Sequence, residues 1–474
     1  MKQFLITISL LLVSAQGVMA GQPITEEGLD PKIVEHRHCH ALENYFNDFL
    51  NLHFEQIIYE YTSVGPDMKT PVRLTGVISM NPAVYNKEAT PRGLMLYNEF
   101  TTAKHRERTS QDEIDDVSFY MNKFENLIAV SADLYGWTLT EDKPQAYCCP
   151  EITAVETIDA WDAAMTILKQ EGYDIEGLPL FNVGYSSAGF SAMAVQRYIS
   201  EKRPDLHFDL TAAGGAPFDI TTVYENYVKT NFTGYKCALP LMMVAYKETY
   251  NLPFEYKDVF LPPLGDNIQE WILSKDYNTW EINERIGLEA NVDEILTPVA
   301  CDYTQGMGRS VYEKFRDNSL CGPWCDWQPD TDTKYFIFHS EGDLYMQYFV
   351  GLEMANYLKK KGCDVMTDFG NWGNHVQYAL FAFTLETILE VETIIKDATS
   401  GEIIDNIDDN MDKVIDLSEA MSNGAVGETI TYVKAFGEIS GYDPAKYYTL
   451  DGREIQGQPQ RGIYIHQGKK TVIR

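Results

Sequence analysis

From Gly93 onward, short apolar runs alternate with longer segments of helical periodicity. Leu94 to Tyr97, Leu127 to Ala132, Leu178 to Val183, Leu210 to Ala216, Tyr335 to His339 and Val365 to Phe369 read as strands. Glu156 to Gln170, the residues after Ser186, and Tyr348 to Lys361 read as helices. Apolar runs of strand length separated by helices predict an α/β chain, with a mostly parallel sheet covered on both faces. Ahead of it, Gln56 to Tyr61 and Val72 to Met80 predict an antiparallel pair joined through Gly65-Pro66-Asp67, and Ile33 to Phe54 reads as a helix. Between Asp219 and about Asp330 the strand rhythm stops, with helix-like stretches at Asn267 to Leu273 and Val311 to Arg316. An insertion over residues 220–330 fits a cap on the carboxyl edge of the sheet, supplying pocket walls and excluding water.

The two ends have a different character. Lys2, an apolar stretch from Phe4 to Val13, and Val18-Met19-Ala20 before Gly21 follow the order of a secretory signal peptide, with cleavage expected after Ala20. The apolar run is too short to span a bilayer, and no other stretch predicts a transmembrane segment. Residues 21–395 then hold the α/β unit. Residues 396–446 read as an acidic linker or a loosely attached segment, and 447–474 as a compact strand-turn-strand tail.

A net charge of −32 and a pI near 4.6 argue against nucleic-acid partners, because phosphate would be repelled. The expected location is outside the cytoplasm: periplasmic, at the cell surface or secreted. The eight cysteines are even in number, which permits disulfides in an exported chain. Cys321-Gly-Pro-Trp-Cys325 has three residues between its thiols and no thioredoxin-like surroundings, so a structural loop staple is expected there.

The chemistry concentrates at Gly184-Tyr185-Ser186-Ser187-Ala188-Gly189, where an apolar strand turns sharply into a helix with Ser186 at the apex. Such an elbow needs small residues on both sides, and Ala188 stands where glycine is usual. A serine hydroxyl is a poor nucleophile at neutral pH, so it needs an imidazole to take its proton and a carboxylate to orient the imidazole. In a sheet of this kind the acid follows the next-to-last strand and the histidine follows the last. Asp343 in Ser340-Glu341-Gly342-Asp343 holds the first position, with Glu341 as its competitor. His375, on the glycine-flanked loop Asp368 to His375, holds the second. His339 precedes the acid and is expected to pack or hydrogen-bond beneath its loop. Oxyanion donors are expected from the backbone of Ser187 and from the loop Asn98 to Thr102, at Phe100 or Thr101.

These residues resemble the α/β-hydrolases, and among them the secretory lipase-like group of carboxylic-ester hydrolases. The resemblance runs from about Glu55 to Phe383, through Gly76, the Ala132-Asp133-Leu-Tyr-Gly136 turn, the elbow, Ala213-Gly-Gly-Ala-Pro-Phe-Asp219 and the acid and histidine loops. It implies an exported serine esterase acting on a small-molecule ester without a cofactor or metal. Asn98-Glu99-Phe100 departs from the usual His/Gly oxyanion stretch. The tail is similar to Bacteroidetes-type C-terminal sorting signals, with Leu450-Asp-Gly-Arg453, Gly462-Ile-Tyr-Ile465 and a basic end, which implies outer-membrane secretion machinery as a partner.

Two alternatives stay open: a serine peptidase of the same fold, and a catalytically silent surface binding protein on this scaffold. His36-Arg-His38-Cys39-His40 has metal-capable side chains, with His36 and His40 on one face of the expected helix, and is read as structural. Asn231-Phe-Thr233 matches a glycosylation acceptor but carries no weight beside a bacterial-looking tail. The cap tyrosines (Tyr224, Tyr227, Tyr235, Tyr246, Tyr250, Tyr256) could line an aromatic pocket, although core packing accounts for most of them.

Overall fold

The computed structural model describes residues 31–40, 53–111, 126–371, 373–379, single positions between 387 and 395, and the short strands at 447–448, 462–466 and 469–473. The expected leader and the segment 396–446 lie outside these residues. The centre is a nine-stranded sheet, ordered β1-β2-β3-β5-β4-β6-β7-β8-β9. Its strands are β1 (Lys32–His40), β2 (His53–Val64), β3 (Pro71–Met80), β4 (Gly93–Tyr97), β5 (Leu127–Ala132), β6 (Leu180–Tyr185), β7 (Leu210–Gly214), β8 (Lys334–Phe338) and β9 (Asp364–Asp368). β1, β2, β3 and β5 pair antiparallel, and every pairing from β5 through β9 is parallel.

The alternation along β4 explains why both faces are covered. Leu94 and Leu96 enter one buried cluster, with Trp161 and Phe190. Met95 and Tyr97 enter the other, with Phe181, Tyr378 and Ile395. Successive side chains of a strand point to opposite faces, so a run apolar throughout must be buried on both. On the first face lie α1 (Pro150–Gln170), which starts at a proline pre-set for the first helical turn, and α2 (Ser187–Lys202).

Between β7 and β8 the chain forms α3 (Ile220–Thr230), α4 (Ala238–Tyr250), α5 (Thr279–Ile286) and α6 (Gly306–Asn318), with a single bridge, Phe260 to Leu296, outside the named strands. Its tyrosines are largely core. Tyr224 and Tyr246 both pack edge-on against Phe315, and the Tyr246 hydroxyl donates to the Cys148 carbonyl at 2.9 Å. Helix α7 (Tyr348–Lys360) then crosses from β8 to β9. The final strands, β10 (Tyr447–Tyr448), β11 (Gly462–His466) and β12 (Lys469–Ile473), form their own antiparallel sheet, as the strand-turn-strand reading expected.

Two expectations are corrected. The helix over Ile33 to Phe54 is not formed: β1 pairs with β2 instead, and residues 41–52 lie outside those described. The free edge of β2 offers backbone partners, and Ile33-Val34 favours extended chain over helix. His36 therefore has no helical relation to His40. Its Nδ1 meets the Tyr85 hydroxyl at 2.9 Å, His38 contacts Glu55, and among the described residues no group of three side chains suits a metal ion. The Cys321–Cys325 staple is also absent. Cys325 Sγ instead points at the carbonyls of Cys321 and Ser319, at 3.1 and 3.2 Å, and both cysteines are free thiols. Trp327 Nε1, donating to the Leu320 carbonyl at 2.8 Å, fastens this loop.

Candidate active site

The chain passes from β4 to β5 on one side and then to β6 on the other, so a crevice opens at the carboxyl ends of β4 and β6. Ser186 sits at that end of β6, with φ 62° and ψ −130°, a conformation that costs about 1–3 kcal/mol for a non-glycine residue. The sheet enforces it. Tyr185 pairs with Gly214, and the Ser186 N–H then donates to the Gly214 carbonyl at 2.8 Å. The turn is so tight that a Cβ on Gly184 would lie 2.1 Å from the Ala188 carbonyl oxygen. Ala188 itself is accommodated. It is Gly189, whose Cβ would lie 2.7 Å from the Gly214 oxygen, that must stay small on the far side.

His375 Nε2 lies 2.9 Å from Ser186 Oγ, and His375 Nδ1 lies 2.6 Å from Asp343 Oδ2. The three residues expected from chain order meet at one point. His375 opens a one-turn helix, His375–Tyr378, whose cap Asn374 accepts from the N–H groups of Val376 and Gln377. Tyr185 and Tyr345 flank the imidazole at 5.0 and 5.1 Å between ring centres, and the Tyr185 hydroxyl donates to the His375 carbonyl at 2.9 Å.

The Asp343 carboxylate is saturated. Oδ1 accepts from the N–H groups of Tyr345 and Met346 at 2.8 and 3.0 Å, while Oδ2 faces His375 and, at 3.1 Å, His339 Nε2. Burial alone would push this carboxyl up, but the charge and hydrogen bonds of His375 and His339 win and hold it well below the usual carboxylate range. His339 thus lies beneath the loop, as expected. Glu341 is exposed, and its N–H donates to Gly370 at 3.1 Å. With Ser340 Oγ donating to the Gly373 carbonyl at 2.6 Å, that bond stitches the acid loop to the histidine loop.

On the opposite wall, Asn98 continues the β4–β6 ladder through its N–H to Val183 at 3.0 Å, and its amide reaches Asn182 Oδ1 at 2.9 Å. This holds the loop Asn98 to Thr102 against the elbow. Thr101 Oγ1 lies 2.9 Å from Ser187 Oγ and 2.9 Å from the hydroxyl of the half-buried Tyr147, a residue the sequence reading missed. Ser187 opens α2, where the backbone N–H has no intrahelical acceptor. Phe100 is exposed at the edge of the loop.

Solved structures of similar fold are numerous. A candidate hydrolase from Legionella pneumophila aligns with a TM-score of 0.64 at 18% identity, over 79% of this chain and 100% of its own. The rice cell wall degrading esterase LipA from Xanthomonas oryzae aligns at 0.61 and 18%, over 77% and 97%. Candida antarctica lipase A in its closed state aligns at 0.54 and 10%, over 81% and 91%. The chain has the α/β-hydrolase fold. No family model matches it, and no curated protein matches it by sequence.

Behind the loop Asn98 to Thr102 the protein buries a group of charges that sequence reasoning did not find. Arg108 pairs with Glu99 at 3.0 Å, with side-chain exposures of 7% and 2%, and lies over the Trp137 ring at 4.9 Å. Asp133 accepts from Thr75, Ser110 and Thr138. Burial pushes the Glu99 carboxyl up to about 7 against the pull of Arg108, and raises that of Asp133 as well. On α1 and α7, burial likewise pushes Asp159 up to about 6 and Glu353 up to about 7.

The sign for stability follows. Between the ordinary carboxylate pKa, about 4, and these raised values, the native state holds protons that the unfolded chain has released, so stability falls as pH rises from about 4.5 through 7. Protonation also relieves part of the self-repulsion from a net charge of −32. Thermal unfolding is therefore expected at a higher temperature at pH 5 than at pH 8. A flat or reversed profile would show that the buried carboxyls are ionised without cost.

Proposed function

We propose that this protein is a serine hydrolase that cleaves carboxylic esters through an acyl-enzyme. Ser186 Oγ attacks the ester carbonyl while His375 Nε2 takes its proton. The oxyanion is held by the N–H of Ser187 and one from Phe100 or Thr101. Collapse expels the alcohol, which leaves with the proton from His375; water, activated by the same imidazole, then releases the acid and restores the serine. Asp343 stays ionised throughout and fixes the proton of His375 on Nδ1.

One observation carries this reading: the continuous contact from Ser186 Oγ to His375 at 2.9 Å and on to Asp343 at 2.6 Å, with the serine on a strained elbow. A binding protein gains nothing from that strain. The esterase and the lipase among the structures of like fold support an ester as the scissile bond. The proposal extends to the chain as a whole: residues 1–20 direct export, 21–395 are catalytic with 220–330 as the cap, 396–446 link, and 447–474 deliver the protein to outer-membrane secretion machinery. The working location is periplasmic, cell-surface or secreted.

The test is hydrolysis of p-nitrophenyl esters of graded acyl length by the full-length chain, beside a panel of aminoacyl amides. Ester turnover with a chain-length optimum is expected. Turnover of amides alone would replace the esterase with a peptidase, and turnover of neither would leave a silent scaffold.

A further inference from the structure

A small cavity of about 30 Å³ lies against the elbow, lined by Glu99, Phe100, Thr102, Arg108, Ser187 and Ser191 among others. Ser187 directly follows the nucleophile. Thr101, whose hydroxyl touches Ser187, sits in the loop between Glu99 and Thr102. The exposed Phe100 brings this lining to the protein surface.

Three buried polar atoms on residues of this lining have no hydrogen-bond partner among the described residues: Glu99 Oε1, Arg108 Nε and Thr102 Oγ1. The other halves of the same groups are engaged. Arg108 Nη1 donates to Glu99 Oε2 at 3.0 Å, the guanidinium face covers Trp137, and the Thr102 carbonyl accepts from Gln145 Nε2 at 3.5 Å. Buried charged groups are stable only when their remaining donors and acceptors are satisfied. Three unpartnered atoms on residues that line one void point to a polar group that fills it.

We propose that this cavity is a subsite for a hydroxyl group of the ester substrate, an inference that rests on the esterase reading of Ser186. The chemistry selects the group. A hydroxyl donates to Glu99 Oε1, accepts from the Arg108 Nε–H, and meets the Thr102 hydroxyl in either role. An ammonium would face the guanidinium and a carboxylate would face Glu99, so neither charge sign fits. The volume admits only one or two heavy atoms, since a water-sized group needs roughly 10–15 Å³. A substrate lacking the hydroxyl leaves the orphans unpaired, and sites built around a hydrogen bond discriminate strongly against analogues that lack it.

The experiment compares ester pairs that differ by one hydroxyl on either side of the scissile bond: ethyl 2-hydroxybutyrate with ethyl butyrate, and glycerol monobutyrate with propyl butyrate. The full-length chain is assayed for kcat/KM, and its Ser186→Ala variant for affinity by NMR titration. In at least one pair, the hydroxylated ester is expected to be favoured at least tenfold in both measurements, with the preference lost in Thr102→Val and in Glu99→Gln. Thr102→Val removes only a hydroxyl and keeps the test open should Glu99→Gln fold poorly. Equal handling of both members of both pairs overturns the subsite and makes water its occupant. A preference that survives both substitutions also overturns it. A binding preference in Ser186→Ala without any wild-type turnover keeps the subsite and removes the hydrolase reading instead.

Discussion

Replacing Ser186 with alanine is expected to lower ester turnover by about 10⁵-fold or more, because loss of the nucleophile leaves only the oxyanion donors and substrate binding to act. The fold should tolerate the change. Among the described residues the Ser186 side chain makes a single hydrogen bond, to His375, while the strained backbone is held by its N–H to Gly214 and by the close packing of Gly184 on Ala188. A melting temperature within a few degrees of wild type, with turnover abolished, separates a chemical role from a structural one. Wild-type turnover in Ser186→Ala would mean that hydrolysis arises elsewhere.

The second large effect is expected at Asp343. In Asp343→Asn, the amide oxygen can still accept from Tyr345 and Met346, so its NH₂ turns toward His375 Nδ1 and His339 Nε2. That NH₂ needs an acceptor at Nδ1, which shifts the His375 proton to Nε2 and aims it at Ser186. The base is then lost by tautomer rather than by distance, and a fall of about 10⁴-fold in kcat is expected, with KM little changed. Stability carries an independent signature. Asp343 is held below the ordinary carboxylate range in the native state, so its contribution is present at neutral pH and erodes as pH falls below about 4. The asparagine variant should lack that component of acid sensitivity. A fall in kcat of tenfold or less would assign the orienting role to another group.

How much of this was legible in the sequence depends on what hides each residue from water. Strands β4 to β8 lie between two buried clusters, so their apolar runs announce them; Tyr335 to His339 was expected where the strand runs Lys334–Phe338. Strand β1 is an edge, largely exposed with Val34 at 53%, and its polar residues form no pattern that distinguishes strand from helix. Only its ladder with β2 decides. Ser186, Asp343 and His375 were readable because each follows a strand end at a turn of small residues. Arg108 was not, since His105-Arg106-Glu107-Arg108 reads as a solvated loop until Glu99 and Trp137 arrive from distant strand ends to bury it. Tyr147 escaped for the same reason, its role set by a contact with Thr101 that no local spacing encodes.

The measurement that bears most directly on the central claim is covalent labelling of the folded full-length protein with a fluorophosphonate, followed by peptide mass spectrometry. Because the probe reacts with a serine only when a base has activated it, the account predicts one phosphonyl group per chain, on the peptide carrying Ser186, and none in His375→Ala. An unlabelled Ser186 in folded wild-type protein, or a label on another serine, would contradict it.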